Sequence, residues 1–559
     1  MTRRMRLRAA LAAALAAAVL LAGCAGIPTS GAVGNAPIDL GSGGGDIVTR
    51  AEGPQKGATP LQLLAGFLIA QRDTQGNYSI AREYLSDGLR TDWSPTERVL
   101  VSDTPVVPKS IDDDTLTVDV NVSAVVGPTG NYTALARSEP QSLVYDFERN
   151  TAGEWRISNA PAGLLLSSAP FNLSFAPYPL YFFDPSGAFL VPDVRWFPHT
   201  TSRPDRIVKE LLAGPSPWYA GGVLVTAFPT GTQLDGGVTI TQGTASVDLA
   251  GDIANQDQGT RWRMQQQLVA SLVALSEVSS VQLTVGGFPV DVGDGQAAER
   301  QLFVRPDPLG LAAGGFGYLN GTNVDRIAGI SSRVEAMGAV GATLARDGQR
   351  AAVRTAAGAW LVSASGGEPL RVDTRAGLVD PSIDVQGFVW SAMASDPDSV
   401  IAFDTSQKPH PLPSLNLDGT LLALKVSRDG SRLLVATQGA GGPALTVAGI
   451  LRDGSGVPTG FGEPLSIAVG AGTMIDASWV DGSTVAVLSG DASGSDIDLY
   501  RIGGTHESLG SVPGGVQLVG GNLADGIRVR DGDGTVWRRN SSGGWQSTGI
   551  VASFLGTQQ

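Results

Sequence analysis

The phrase Arg346-Asp347-Gly348-Gln349-Arg350-Ala351-Ala352-Val353 returns later in the chain as Arg428-Asp429-Gly430-Ser431-Arg432-Leu433-Leu434-Val435. Each copy joins an Asp-Gly turn to an apolar run, the chemistry of a tight turn feeding a buried strand. Related turns precede Gly387-Phe388-Val389-Trp390, Val485-Ala486-Val487 and Ile527-Arg528-Val529. With Asp347, Asp384, Asp429, Asp481 and Asp525 as markers, the intervals are 37, 45, 52 and 44 residues. A β-rich unit recurring at about 40–45 residues suits the blades of a propeller, each burying its faces only against its neighbours. A two-sheet sandwich would not repeat at this period. Residues 311–559 therefore predict an all-β propeller of about six blades.

Two α+β units precede it. Thr59-Pro60 offers a capping hydroxyl and a proline at the first helical position, and Leu61, Leu64 and Leu68 are expected on one face. Ile80/Tyr84 and Ala81/Leu85, at spacing four, predict a second helix that ends at Trp93-Ser94-Pro95. After Asp112-Asp113-Asp114, the alternation of Leu116, Val118, Val120 and Val122 predicts a half-buried strand. A turn at 128–131, a strand through Leu143, Tyr145 and Phe147, and a third at Trp155 and Ile157 complete a meander. This pattern, over residues 58–170, resembles the cone-shaped fold of the nuclear-transport-factor-2-like (NTF2-like) superfamily.

Residues 171–300 read as a strand at 180–183, a turn at 184–187 and a return strand at 188–191. A helix opened by Pro204 and Asp205 pairs Ile207/Leu211 and Val208/Leu212 and stops at Gly214-Pro215. Strands at 238–241 and 246–249 follow, then a helix from about Trp262 with Met264, Leu268, Leu272 and Leu275 on one stripe, and a strand at 281–285. Leu211-Leu212-Ala213-Gly214-Pro215, Val247-Asp248-Leu249 and Gln267-Leu268-Val269 resemble the GerMN domain of spore-germination proteins.

The amino terminus fixes where the chain goes. Arg3, Arg4, Arg6 and Arg8 lead an apolar run at 11–22 that is shorter than the roughly 20 residues needed to span a bilayer. It is expected to be a removable signal peptide, residues 1–23. Leu21-Ala22-Gly23-Cys24 resembles the bacterial lipobox. That likeness implies cleavage between Gly23 and Cys24, with S-diacylglycerol and N-acyl groups on Cys24. Cys24 is the only cysteine in 559 residues, so an internal disulfide is excluded. Residues 24–57, rich in Gly, Ser, Pro and Ala around Gly41-Ser42-Gly43-Gly44-Gly45, predict a flexible lipidated tether. The mature chain is expected on the outer face of the cell membrane, held by lipid and soluble beyond the anchor.

Composition excludes several functions. The formal charge is −14, and loss of residues 1–23, which hold four arginines and no acid, takes it to −18. Phosphate backbones would repel such a chain, so nucleic acid is not expected as a partner. His199, His410 and His506 are the only histidines, and no two have metal-ligand spacing. Nucleophile-elbow, Ser-x-x-Lys and P-loop patterns are absent. Paired carboxylates could hydrolyse glycosides, but the Asp-Gly turns already have a structural reason, and they lack the Ser-x-Asp-x-Gly-x-Thr-Trp box of sialidase-type propellers. Asp112-Asp113-Asp114 reads as a solvated loop. No catalytic residue, metal ligand or cofactor is predicted, and Cys24 alone carries a chemical role.

Lipobox, tether, NTF2-like domain, GerMN-like domain and propeller, in that order, resemble the LpqB lipoproteins of actinobacteria. The resemblance implies a non-enzymatic accessory to a two-component system of the MtrA–MtrB type, which binds the extracellular domain of the MtrB-like sensor histidine kinase. A cell-wall polymer is a further conceivable partner. Alternatives are a surface carbohydrate or peptidoglycan hydrolase and a passive wall-binding scaffold.

Overall fold

The computed structural model describes residues 51–559 apart from Thr322, Ala492 and Ser493. The signal peptide, the lipobox residues Leu21, Ala22, Gly23 and Cys24, and the tether as far as residue 50 lie outside the described residues.

Thr59 caps helix α1 (Pro60–Ala70) through a capping box: Gln62 N donates to Thr59 Oγ1 at 3.3 Å, and Thr59 N donates to Gln62 Oε1 at 3.0 Å. The buried arc of α1 centres on Leu63, Leu64, Phe67 and Leu68. Leu61, expected on that stripe, falls at its edge in the first turn and is 48% exposed. The predicted second helix is two, α2 (Ser79–Glu83) and α3 (Asp87–Asp92). Between them the chain leaves the helix so that Leu85 can bridge Ile157, with Ser86 N donating to Ile157 O and Ile157 N to Tyr84 O.

The sheet below comprises β1 (Val99–Ser102), β2 (Pro108–Ser110), β3 (Thr115–Val126), β4 (Tyr132–Arg149), β5 (Trp155–Asn159) and β6 (Leu164–Ser167). Its order is β5-β4-β3-β1-β6, with β2 on β3 and with β1 and β6 parallel. On β3 the predicted alternation holds, with Leu116, Val118, Val120 and Val122 inward. β1 and β6 are apolar without alternation (Val99-Leu100-Val101, Leu164-Leu165-Leu166), as suits strands covered on both faces. Periodicity therefore gave no sign of them.

Helix α4 (Ser168–Ser174) crosses the boundary read at 170 and leads into a long hairpin, β7 (Phe175–Phe183) and β8 (Leu190–Pro198). It is followed by α5 (Arg203–Ala213), β9 (Gln233–Leu234), β10 (Thr239–Thr241), β11 (Thr244–Ala250), α6 (Gln258–Leu272), β12 (Ser280–Val285) and β13 (Phe288–Pro289). Helix α6 starts a turn before Trp262, because Asp257 caps it by accepting from Thr260 N at 3.0 Å. The helices and the two sheets share one core, including Leu180, Val191, Ile207, Leu211, Val247, Met264, Leu268 and Leu283.

The repeats form six blades, each with an inner strand followed outward by three more. The first five inner strands are Gly341–Leu344, Ser382–Ile383, Thr420–Val426, Met474–Trp479 and Gly515–Val519. The sixth blade joins the two ends of the domain. Residues 552–556 of the last strand, Trp545–Gln558, are its inner strand, and Leu309–Ala312, Gly315–Asn320 and Asn323–Arg326 lie outside it. The domain thus begins at Leu309, ahead of the boundary read at 311. The first part of Trp545–Gln558 is the outer strand of blade five, so one strand links the last two blades and closes the ring.

Candidate functional site

The repeated turns share one face of the propeller, where inner strands end and second strands begin. Their aspartates are structural. Asp347, Asp429 and Asp481 accept from the amides of Gln349, Ser431 and Ser483, and Asp384 accepts from Phe388 N and Trp390 Nε1. The GerMN-like domain sits on this face. Val223 approaches the backbone of Gly449 so closely that a Cβ there would stand 2.6 Å from it, and Pro192 lies against Gly482. Arg346 pairs with Glu299, and Arg428 donates to the carbonyls of Leu302 and Gly521. Asn522 bonds both backbone groups of Val304, at 2.7 and 2.8 Å. Beneath this contact Arg432 is fully buried, paired with Asp429 and donating to Gly482 O. Burial pushes the Asp429 carboxyl up, but the Arg432 guanidinium and the hydroxyls of Ser431 and Ser427 outweigh it and hold the group below its ordinary value.

Strand β8 ties in the third domain. Trp196 stacks on Tyr132 and Phe171, with ring centroids at 5.2 and 5.0 Å, and donates Nε1–H to Gly503 O of the propeller at 2.9 Å. Arg195, 2% exposed, pairs with Asp193 and donates to Thr129 O at 3.0 Å in the β3–β4 turn. Gly130 in that turn has φ +84°, and a Cβ there would meet Trp196 O at 2.9 Å. The three domains thus meet through buried aromatic rings, a buried ion pair and backbone hydrogen bonds.

The opposite face, where inner strands begin, opens on a polar cavity of about 200 Å³ at the propeller axis. Five of the inner strands, or the residues leading into them, supply Asp380, Lys425, Asp476, Gln517 and Phe554, and second strands add Arg354 and Arg530. Arg354 Nε donates to Asp380 Oδ1 at 2.7 Å. Lys425, 6% exposed, donates to Thr557 Oγ1 at 3.2 Å. Asp476 accepts from Ala477 N and Leu518 N, both at 2.8 Å. Burial raises the Asp476 carboxyl to about 6; Lys425 and the two amides oppose the rise, and Asp380 adds to it. Sequence reasoning passed over these residues. The signal was present, because Lys425 interrupts Leu421-Leu422-Ala423-Leu424 before Val426, and Asp476 interrupts Met474-Ile475 before Ala477. A charge inside a buried strand is costly unless something answers it.

The other residues weighed from sequence do not converge. His199 lies 3.1 Å from Arg203, His410 bonds Asp404, and His506 stacks on Tyr500 in a different blade. Asp112, Asp113 and Asp114 are exposed in the turn before β3. Among the described residues, no group of three or more His, Cys, Asp or Glu is placed to hold a metal ion, and no helix is long and apolar enough to cross a membrane.

Three family models match in sequence. They are the lipoprotein LpqB N-terminal domain over residues 53–172, a sporulation and spore germination domain over 179–291, and the lipoprotein LpqB beta-propeller domain over 314–553. Lipoprotein LpqB of Thermobifida fusca is 28% identical, across 94% of this chain and 96% of that relative. The Mycolicibacterium smegmatis lipoprotein LpqB is also 28% identical, across 84% of this chain and 85% of its own. Among solved structures, the first GerMN domain of the sporulation protein GerM from Bacillus subtilis aligns with 22% of this chain and 93% of that one, at 22% identity and a TM-score of 0.19. Two models specific to one family flank the germination-type domain in the order seen along the fold, and the chain belongs to the LpqB lipoprotein family.

Proposed function

We propose that the protein is a lipid-anchored, extracytoplasmic accessory of a two-component system, of the MtrA–MtrB type, and that it binds the extracellular domain of the sensor kinase. The observation that carries this reading is the lipobox Leu21-Ala22-Gly23-Cys24 ahead of a chain alignable over nearly its full length with lipoproteins. Acylation at Cys24 with a diacylglyceryl and an N-acyl group gives more than the two chains that stable anchoring needs. The tether then confines the three domains near any membrane receptor and raises their effective concentration, so even a weak interface is populated. The NTF2-like and GerMN-like domains, nearest the anchor along the chain, are assigned the contact. Cross-linking in intact cells followed by mass spectrometry tests this. The wild-type protein should capture a sensor kinase, whereas Cys24→Ala should leave the membrane and lose the capture. A wild-type protein that captures no kinase overturns the reading.

The hydrolase reading draws on one observation, two carboxylates (Asp380 and Asp476) at one cavity, the second titrating near 6 as a general acid would. Against it, Arg354 ties up Asp380, and both oxygens of Asp476 already accept backbone amides. Isolated cell wall incubated with the purified protein should release neither sugars nor muropeptides.

A further inference from the structure

We propose that the open mouth of the propeller is a binding site for a small organic acid that also carries a hydrogen-bond donor, a short hydroxy or amino acid. The inference does not depend on the kinase reading. It rests on charges in the axial cavity that no direct ion pair answers.

Lys425 is buried, yet among the described residues its ammonium, with three donors to place, has one hydrogen bond, to the neutral Thr557 hydroxyl, and no carboxylate within salt-bridge distance. Arg530 is likewise outside any ion pair among the described residues. Its Nε reaches Gln517 Oε1 at 3.3 Å and its Nη1 the carbonyl of Asp531 at 3.1 Å, and Nη2 has no partner. Asp476 is the counterpart, a carboxylate with two backbone donors and lone pairs to spare. Arg354 and Asp380 cancel one another. Among the described residues the cavity therefore holds two cations and one carboxylate outside any direct ion pair, with Lys425 acting on Asp476, and Asp531 on Arg530, only at longer range. A monoanionic carboxylate meets Lys425 and Arg530 through charge-assisted hydrogen bonds, and a hydroxyl or ammonium on the same molecule can donate to Asp476. A phosphate dianion would face two carboxylates with the same cations.

The walls agree with a short carbon skeleton. Val340, Ile475, Val516 and Phe554 line the same cavity, with Val340 and Val516 46% and 41% exposed at its lip. Access is open because the GerMN-like domain covers the other end of the ring, where the repeated turns lie. The lining is otherwise polar, as suits a small charged ligand rather than an apolar one.

Calorimetric titration of the full-length lipoprotein in detergent tests the assignment, with lactate and alanine as probes and acetate and inorganic phosphate as comparison arms. Lactate or alanine should bind saturably and more tightly than acetate. Lys425→Met and Arg530→Gln should each weaken binding by about tenfold or more, as loss of a hydrogen bond to a charged group implies. Lys209→Met, on the exposed side of α5, should leave it unchanged. Should Lys425→Met fail to fold, Arg530→Gln, at a half-buried position, decides the matter. Neither probe binding, binding indifferent to both substitutions, or phosphate binding more tightly than either acid overturns the proposal.

Discussion

Arg195 and Asp193 show how much of the architecture rests on a few side chains. Both are nearly inaccessible, and the pair is completed by Ser216, whose N–H and Oγ–H donate to Asp193 at 2.8 and 2.6 Å. Removing the guanidinium leaves a buried carboxylate without its cation. Arg195→Met should therefore cost about 3–5 kcal/mol in denaturant unfolding; a loss under 1 kcal/mol would mean that the pair is hydrated. Sequence gave no hint of this pair, because Asp and Arg two apart on a strand read as an exposed face. Strand β8 is covered on both sides and does not alternate.

Asp476 gives a residue-scale test of the axial cavity. Its folded value near 6 lies above the ordinary 3.8, so the folded state holds the proton more tightly than the unfolded chain. The stability this supplies is complete below about pH 4 and is lost as pH rises through 6. By pH 7 the ionised group costs the fold up to about 3 kcal/mol. The charged groups facing it are Lys425, which limits the effect, and Asp380, which enlarges it. Asp476→Asn mimics the protonated form. Its stability relative to wild type should climb between pH 4 and pH 7, and a difference flat with pH would refute the burial argument.

At the scale of elements, the propeller was legible because its turns must be made of particular residues. The marker aspartates fall at the inner turn of each of blades one to five, and their spacing already implied the blade count. Blade six was not legible in the same way, since its strands come from opposite ends of the domain and its inner turn is no turn at all. Its closure carries a prediction. A chain ending at Val551 loses the strand that pairs with Leu309–Ala312 and borders Gly341–Leu344. Unpaired edges should follow, with a bared core around Leu309, Phe316 and Ala342, which have lost Phe554. Limited proteolysis should then cut the propeller of that chain at several sites while leaving wild type whole. Equal resistance would show that the ring does not depend on this closure. In the N-terminal domain, α1 and β3 were readable from a cap and an alternation. β1 and β6 were not, since a short apolar run is equally a buried strand or part of a helix.

For the whole molecule, order along the chain could be read from sequence but docking could not. Docking depends on residues far apart in number, such as Trp196 and Gly503, Val223 and Gly449, Val304 and Asn522. The consequence is mechanical: the described chain is one body, and whatever binds the N-terminal domain moves the propeller's open face with it. Deleting the first two domains would bare the turn face, so point substitutions at the contacts are the sounder probe. Because Cys24 is the sole cysteine, a chain beginning at Ala51 has none, and spin labels can be placed without ambiguity. Labels at Glu139→Cys on β4 and Asp533→Cys on the open side of the propeller, read by double electron–electron resonance, measure the rigidity directly. The docked arrangement predicts a single narrow distance distribution that broadens when Trp196 is changed to Ala; a broad or many-peaked distribution in the otherwise unaltered chain would contradict it.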